Sequence, residues 1–160
     1  MYRLSMSILI GLMMIGLYSM VKEVVQDNDA SVDVNTLFRF KPTVIHKDCG
    51  SYDTHYDPRS NTIVICNELT RDVSMYTSNP DAVNTMIWYH EYGHWYYNHK
   101  IPSIDKEYEA DNYSFIRLKK EGYSIEACEF WENLCNDGIG NDALHPDSCI
   151  RWQNCINVLN

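Results

Sequence analysis

The strongest constraint on the fold is a helical pattern that begins at Asn79. Asn79 is a typical helix-capping residue, and Pro80 suits the first helical position because its missing N–H needs no partner there. Residues of one predicted face then recur every three or four positions: Val83, Met86, Ile87, His90, His94 and Tyr97. The pattern predicts a helix of about five turns that ends before Pro102 and turns this face towards the interior.

The inward face contains the motif His90-Glu91-x-x-His94. Residues four positions apart lie one above the other on a helix, so both imidazole rings could bind one zinc ion. In this arrangement Glu91 lies beside the water that zinc activates, where it would act as the general base. A five-residue motif also occurs by chance, so the rest of the chain must supply what such a site needs.

A catalytic zinc site needs a third protein ligand and one open position. Glu107 is the best candidate because the short loop 98–104 predicts an antiparallel helical hairpin. Glu109 is the alternative ligand, although on the second helix it would point away from Glu107 towards solvent. Asp111 lies one turn after Glu107 and would accept a hydrogen bond from a ligand histidine, which would set that histidine's tautomer. Gly93 would let the second helix or a strand approach closely.

Two further histidines lie near the predicted site. His145 precedes Pro146 at the start of the last predicted helix. It would either stabilise the oxyanion that forms on a substrate carbonyl or have a purely structural role as a helix cap. His99 lies one turn beyond His94, and we expect it to interact with the negative end of the helix dipole instead of binding metal.

Short β-branched runs predict a small sheet ahead of the helices. The runs Pro42–His46 and Thr62–Cys66 are typical of two neighbouring strands, with the turn residues Asp57–Asn61 between them. Three more helices are expected after the metal motif, opening at Ser103 or Asp105, at Ser124 and at Pro146. The expected fold class is α+β, mainly helical, with the small sheet or hairpin packed on the helical core.

Residues 1–22 form a candidate membrane segment. Leu4–Val21 is an almost uninterrupted apolar run after Arg3, at the lower edge of the length of a membrane span. A cleavable signal peptide, which would leave a secreted domain, is the alternative. The absence of an Ala-x-Ala-like site favours an uncleaved signal anchor with the domain exported. A polar linker, 23–36, would join this segment to a domain that spans 37–160.

The six cysteines also indicate that the domain is exported. An even number in a chain of this length is typical of a disulfide framework in an oxidising compartment. Cys49 and Cys66 would lie close enough to be considered for pairing, while the connectivity of the others stays open: Cys128, Cys135, Cys149 and Cys155. The formal net charge of −9 argues against nucleic acid as a partner and against docking on anionic lipid.

Several short segments occur in an order that resembles known zinc peptidases. They are Asp48-Cys49-Gly50, Tyr56-Asp57-Pro58, residues 61–68, the metal motif, Glu107-x-x-Ala110-Asp111, and His145-Pro146 with Arg151 and Cys155 after it. The set resembles the gluzincins, and most of all a bacterial family of uncharacterised metallopeptidase-like proteins that is commonly found in exported proteins. The last segment is also similar to HtpX-like and CaaX-processing membrane peptidases. The resemblance covers the chain from Asp48 to the C-terminus, and it implies a zincin-like helical domain with a small sheet.

The resemblance further implies zinc at His90, His94 and Glu107, with Glu91 as the catalytic residue. Together with the motifs, it predicts a zinc-dependent endopeptidase that acts on protein or peptide substrates. An extended substrate would pair with the sheet edge near Thr62–Cys66. The alternative is a non-catalytic exported binding module that contains zinc. Because a structural zinc site has no need of a general base, the presence of Glu91 favours the enzyme.

Overall fold

The computed structural model describes residues 39–140 and 144–160. The predicted signal anchor or signal peptide, 1–22, and the polar linker, 23–36, lie outside the described residues. In the part of the chain that is described, no helix combines the length and the apolar character needed to cross a membrane. The elements described below all belong to one compact unit, Lys41–Asn160.

A three-stranded sheet consists of β1 (Thr43–Lys47), β2 (His55–Asp57) and β3 (Thr62–Cys66), in the order β1-β3-β2. The two predicted strands are confirmed as neighbours, because β1 and β3 pair in parallel. The prediction missed β2, which has only 3 residues and therefore shows little alternation. It pairs antiparallel with β3 across the predicted turn.

Five α-helices follow among the described residues: α1 (Asn67–Asp72), α2 (Pro80–Tyr96), α3 (Ile104–Lys120), α4 (Glu129–Asn136) and α5 (Ser148–Leu159). The start of α2 agrees with the prediction, because the Asn79 side chain accepts a hydrogen bond from the Ala82 N–H. Short 3-10 turns precede α4, at Ile125–Cys128, and follow α1, at Val73–Met75. The fold is therefore α+β and mainly helical, as expected.

One helix was not predicted, and the predicted starts of two others were wrong. The short helix α1 was not predicted, because its 6 residues carry no apolar periodicity. The 3-10 turn delays the helix that was expected from Ser124. The last helix begins at Ser148 instead of Pro146, because the Asp147 side chain accepts from the Cys149 N–H and acts as the cap.

The core lies between the helices, where the inner face of α2 meets α3, α4 and α5. Its buried members include Val83, Met86, Phe115, Leu118, Phe130, Trp131 and Leu134. The predicted inward face of α2 is buried at Val83, Met86 and His90. Tyr97 does not belong to it: the residue follows the last helical position, and 39% of its surface is exposed.

All six cysteines are paired, as the framework hypothesis predicted. Cys49 bonds to Cys66, Cys128 to Cys155, and Cys135 to Cys149. The last two bonds connect α5 to the segment that contains α4, one near each end of α5. Helix α5 is therefore covalently held where it meets the site described next.

Candidate metal centre

The site forms where α2 and α3 pack closely as an antiparallel pair. Gly93 faces Ala110 across the interface, and a Cβ atom placed on Gly93 would lie only 3.0 Å from the Ala110 Cα. Because this distance is tighter than most real Cβ contacts, a larger residue would force the helices to move apart slightly. The close approach brings the motif histidines on α2 beside the first two turns of α3, as the prediction for Gly93 required.

Three side chains at this contact could together hold a metal ion: His90, His94 and Glu107. His90 Nε2 lies 3.1 Å from His94 Nε2 and 3.1 Å from Glu107 Oε2. His94 Nε2 lies 3.4 Å from Glu107 Oε1. Hydrogen bonds from both histidines hold the pKa of Glu107 well below its usual value, although burial acts in the opposite direction. The carboxylate is thus available as a ligand.

His90 is held from behind by a buried ion pair. Its Nδ1 lies 2.8 Å from Asp111 Oδ1, the contact predicted for Asp111 with a ligand histidine. Asp111 in turn accepts two hydrogen bonds from Arg151, one of them from Nε at 2.8 Å. The Arg151 guanidinium stacks on the Trp131 ring at 3.6 Å from its centroid. The charge of Arg151 helps to hold the pKa of Asp111 below its usual value despite burial.

The same surroundings determine the charge of His90. Burial alone would lower the pKa of His90, but its hydrogen bonds to Asp111 and Glu107 outweigh burial and raise the pKa to about 9. Binding of a metal at Nε2 would displace the proton from that atom, while the Nδ1–H would still donate to Asp111.

His94 is held by a different route that the sequence did not reveal. Its Nδ1 lies 2.9 Å from Nδ1 of His99, whose Nε2 lies 2.8 Å from Glu109 Oε2. The prediction of His99 as a residue one turn further along the helix was wrong. Helix α2 ends at Tyr96, and Asn98, with φ of 59°, turns the chain so that His99 folds back against His94.

The two candidates for the third ligand, Glu107 and Glu109, differ clearly in burial and in contacts. Glu107 is buried and meets both motif histidines, whereas Glu109 contacts His99 and leaves 59% of its side chain exposed. The geometry therefore favours Glu107, and the predicted orientation of Glu109 away from it is correct. The side chain of Glu109 nevertheless has a specific partner.

Glu91 lies next to the donor set and is itself buried. Burial raises the pKa of Glu91 to about 7, and the nearby negative charge of Glu107 acts in the same direction. The backbone N–H of Tyr56 in β2 donates a hydrogen bond to its carboxylate. Strand β2, which the sequence does not predict, thus contacts the residue expected to act as general base.

His145, in the segment before α5, also lies beside the donor set. Its Nε2 lies 3.9 Å from Glu107 Oε2, and 46% of its side chain is exposed. The predicted alternative of a helix-capping role is wrong, because Asp147 caps α5. His145 therefore lies where it could contact a molecule bound at the donor set.

Two cavities meet at the donor set. One, of about 210 Å³, is lined by β2, the 99–102 loop, Leu144, His145 and the three donors. The other, of about 180 Å³, also borders His90 and Glu91 and has mostly apolar walls: Leu69, Met86, Ile87, Phe130, Trp131 and Leu134. The expected substrate pairing along Thr62–Cys66 is wrong, because β3 is the central strand and both of its edges are occupied.

Comparison with known proteins adds no family assignment. No protein-family model, no curated protein and no solved structure matches the chain. The resemblance to gluzincins consequently stays a prediction, and the function has to be argued from the site itself.

Proposed function

We propose that this protein is a zinc-dependent peptidase that hydrolyses peptide bonds in protein or peptide substrates. The observation that carries the proposal is the donor set of His90, His94 and Glu107 with the buried Glu91 beside it. Two imidazoles and one carboxylate, with a fourth position left open, make up a typical catalytic zinc site. A site that only stabilises the fold would have four protein ligands and no buried base.

The donor atoms fit zinc in spacing as well as in type. Ligands at about 2.0–2.1 Å in a tetrahedral site lie about 3.3 Å from one another. His90 Nε2 lies 3.1 Å from His94 Nε2 and 3.1 Å from Glu107 Oε2, and the other Glu107 oxygen, Oε1, lies 3.4 Å from His94 Nε2, all close to this value. A zinc ion bound there would supply a Lewis acid that acidifies water and polarises a peptide carbonyl.

Glu91 would move the protons of the reaction. Its carboxylate takes a proton from the attacking water and later delivers it to the amine of the leaving product. Burial raises the pKa of Glu91, which suits a carboxylate that has to accept a proton from water and return it. The hydrogen bond from the Tyr56 N–H holds the carboxylate in place while this happens.

His145 would stabilise the negative charge that develops on the carbonyl oxygen. Its Nε2 lies near the donor set, and its side chain is exposed enough to meet a substrate. A donor in this position stabilises the oxyanion more than the ground-state carbonyl, which lowers the barrier.

The apolar cavity indicates what kind of substrate the site prefers. It opens beside Glu91 and His90, and apolar side chains from α1, α2 and α4 form most of its wall. A bulky apolar residue next to the cleaved bond would be buried there with a gain of about 1.5–3 kcal/mol. We therefore propose peptides with a large apolar residue next to the cleaved bond as preferred substrates. Ile87→Trp would fill this cavity, and we expect it to shift cleavage towards small side chains.

The proposed location is outside the cytoplasm, with residues 1–22 as signal anchor or signal peptide. The three disulfides favour an oxidising compartment. An anchor would place the protein at a membrane surface, and a cleaved segment would release it.

Glu91→Gln tests the proposal most directly. The variant should retain zinc, because the substitution removes no ligand, and it should lose at least about 100-fold in turnover of a peptide library. Glu132→Gln on α4, outside both cavities, is the matched control and should cleave like the wild type. Zinc binding without turnover in the wild type would instead establish the non-catalytic binding module.

A further inference from the structure

Helix α3 and the loop before it support His94 through two side chains, His99 and Glu109. The chain of hydrogen bonds leads from His94 Nδ1 to His99 Nδ1 at 2.9 Å and from His99 Nε2 to Glu109 Oε2 at 2.8 Å. The His99 side chain is only 7% exposed, although it belongs to a surface loop. A loop histidine buried between a candidate metal ligand and a carboxylate has both ring nitrogens engaged.

The direction of each hydrogen bond follows from the carboxylate at the end of the chain. An ionised carboxylate can only accept, so His99 Nε2 must carry the hydrogen that it donates to Glu109. His94 Nδ1 and His99 Nδ1 lie 2.9 Å apart, so one of the two atoms donates a hydrogen and the other accepts it. A neutral His99 with a hydrogen on Nε2 has a free lone pair on Nδ1, and this atom accepts from His94 Nδ1–H.

The hydrogen on Nδ1 also determines which nitrogen of His94 can bind metal. With its single hydrogen on Nδ1, a neutral His94 presents the Nε2 lone pair to the donor set. His90 is oriented in the same way by direct contact, because its Nδ1 donates to Asp111. Each motif histidine is thus oriented by a carboxylate, one by direct contact and the other through an intervening imidazole.

We infer that His99 and Glu109 are positioning residues that hold His94 in the metal-binding tautomer. The inference rests on the proposed zinc site, since it assigns these residues a role in preparing one of its ligands. Neither residue contacts the ion in this arrangement. Glu109, which the sequence offered as an alternative ligand, acts two side chains away from the metal.

Zinc affinity of the full chain, measured by competition with a chromophoric chelator, is the first test. His99→Leu removes the acceptor and should weaken zinc binding about 10–100-fold. His99→Asn should restore most of the affinity, because its Oδ1 occupies the position of the imidazole Nδ1 and accepts the same hydrogen. Glu109→Ala should show a smaller loss than His99→Leu.

The matched control is Asp105→Asn, which removes an acidic residue from the same helix without touching a histidine. It should bind zinc like the wild type. Thermal unfolding of the metal-free proteins should agree among these variants, which separates a loss of positioning from a loss of fold. Glu109→Ala in the His99→Leu background should have no added effect, because the route between Glu109 and His94 is already interrupted.

The second test observes the tautomer itself. Ring nitrogen chemical shifts of His94 in the metal-free chain should show the hydrogen on Nδ1 in the wild type. The share of this tautomer should fall in His99→Leu and recover in His99→Asn. A general structural role for His99 would leave the tautomer unchanged.

The results distinguish the inference from the proposed function. If the wild type binds no zinc, the proposed function fails, and the chemical shifts still decide whether the chain of hydrogen bonds sets the tautomer. If the wild type binds zinc but His99→Leu and Glu109→Ala bind it as tightly as Asp105→Asn, the inference is overturned while the zinc site stands. A loss for Glu109→Ala as large as that for Glu107→Ala would also overturn it and make Glu109 a ligand.

Discussion

The two motif histidines are supported by regions of opposite character. Behind His90 the support is buried: Asp111 is 1% exposed and is bound by Arg151, which stacks on a core tryptophan. Behind His94 the support lies at the rim, where Glu109 is largely exposed. The buried side links metal geometry to the stability of the core, whereas the rim side can change with little effect on the fold.

The difference has a physical reason. A carboxylate in the interior needs a compensating charge, so Asp111 requires Arg151, and removing either leaves the other uncompensated. A carboxylate in water needs no such partner, and its ion pairs contribute little to stability. Loss of the carboxylate is therefore strongly destabilising behind His90, where it is Asp111, and only weakly so behind His94, where it is Glu109.

Asp111→Ala should have the largest effect of the changes considered. It would leave the Arg151 charge buried without its carboxylate, at a cost of about 3–5 kcal/mol in the free energy of unfolding. It would also release His90 Nδ1 and weaken zinc binding. Denaturant unfolding of the metal-free protein and chelator competition measure the two effects separately.

Glu109→Ala removes the carboxylate behind His94 and corresponds to Asp111→Ala behind His90. We expect it to change the free energy of unfolding by less than about 1 kcal/mol, because the side chain is mostly solvated. Equal destabilisation by the Asp111 and Glu109 variants would contradict the division into a buried and a rim support.

Loss of the Cys128–Cys155 disulfide should affect the buried support of His90, because this bond holds the helix that carries Arg151. Replacing both cysteines by alanine should cost about 3 kcal/mol, as expected for a bond with a sequence separation of 27. Zinc binding should weaken too, because Arg151 loses its fixed position. The matched control replaces Cys49 and Cys66, whose bond lies in the sheet region, and should affect zinc affinity less.

Gly93→Ala should disturb both supports together, because it separates the two helices that carry all three donors. The added Cβ would collide with the Ala110 backbone, at a cost of about 1–3 kcal/mol that the better helix propensity of alanine offsets by about 1 kcal/mol. We expect a net loss of about 1 kcal/mol and weaker zinc binding. Asn84→Ala on the same helix gains propensity without a collision, and it should bind zinc like the wild type.

Glu129→Gln should have the smallest effect and should leave both supports intact. Glu129 accepts hydrogen bonds from the Ser78 hydroxyl and N–H and from Thr77, which ties the segment before α2 to α4. Hydrogen bonding to Ser78 lowers the pKa of Glu129. We expect a small loss of stability at neutral pH and unchanged zinc affinity.

The pH dependence of that effect has a definite sign. A depressed pKa in the folded protein means that the carboxylate stabilises the fold above its unfolded value of about 4.5, and that this contribution is lost as the pH falls through the lower folded pKa. The wild type and Glu129→Gln should therefore converge in stability at acidic pH. A constant difference down to low pH would show that the charge of Glu129 is not involved.

Contacts between residues close together in the sequence could be predicted, whereas contacts between distant segments could not. The histidine motif and the start of α2 were readable because helical periodicity and capping are local. Glu107 was readable as a donor because a short loop allows few arrangements of two helices. The turn at Asn98, which brings His99 back to His94, could not be predicted, because a single residue with positive φ leaves almost no signal in the sequence.

Other contacts depend on elements far apart in the chain. The hydrogen bond from Tyr56 to Glu91 requires β2 to lie against α2. The sequence of a three-residue strand does not predict which helix lies beside it. The role of Arg151 was equally hidden, because a lone arginine on a predicted helix is normally solvated. Only the packing of α5 against α3, held by two disulfides, buries it against Asp111.

Four features are visible in the sequence alone: the candidate metal-binding motif, the helix that presents it, the candidate donor set and the even number of cysteines available for pairing. These features follow from residue type and local spacing, which a linear chain displays directly. The tertiary structure alone decided how each histidine is oriented, which carboxylate is buried and which is solvated, and where a substrate has room. Those properties arise from burial and from contacts between distant segments, and neither exists until the chain has folded.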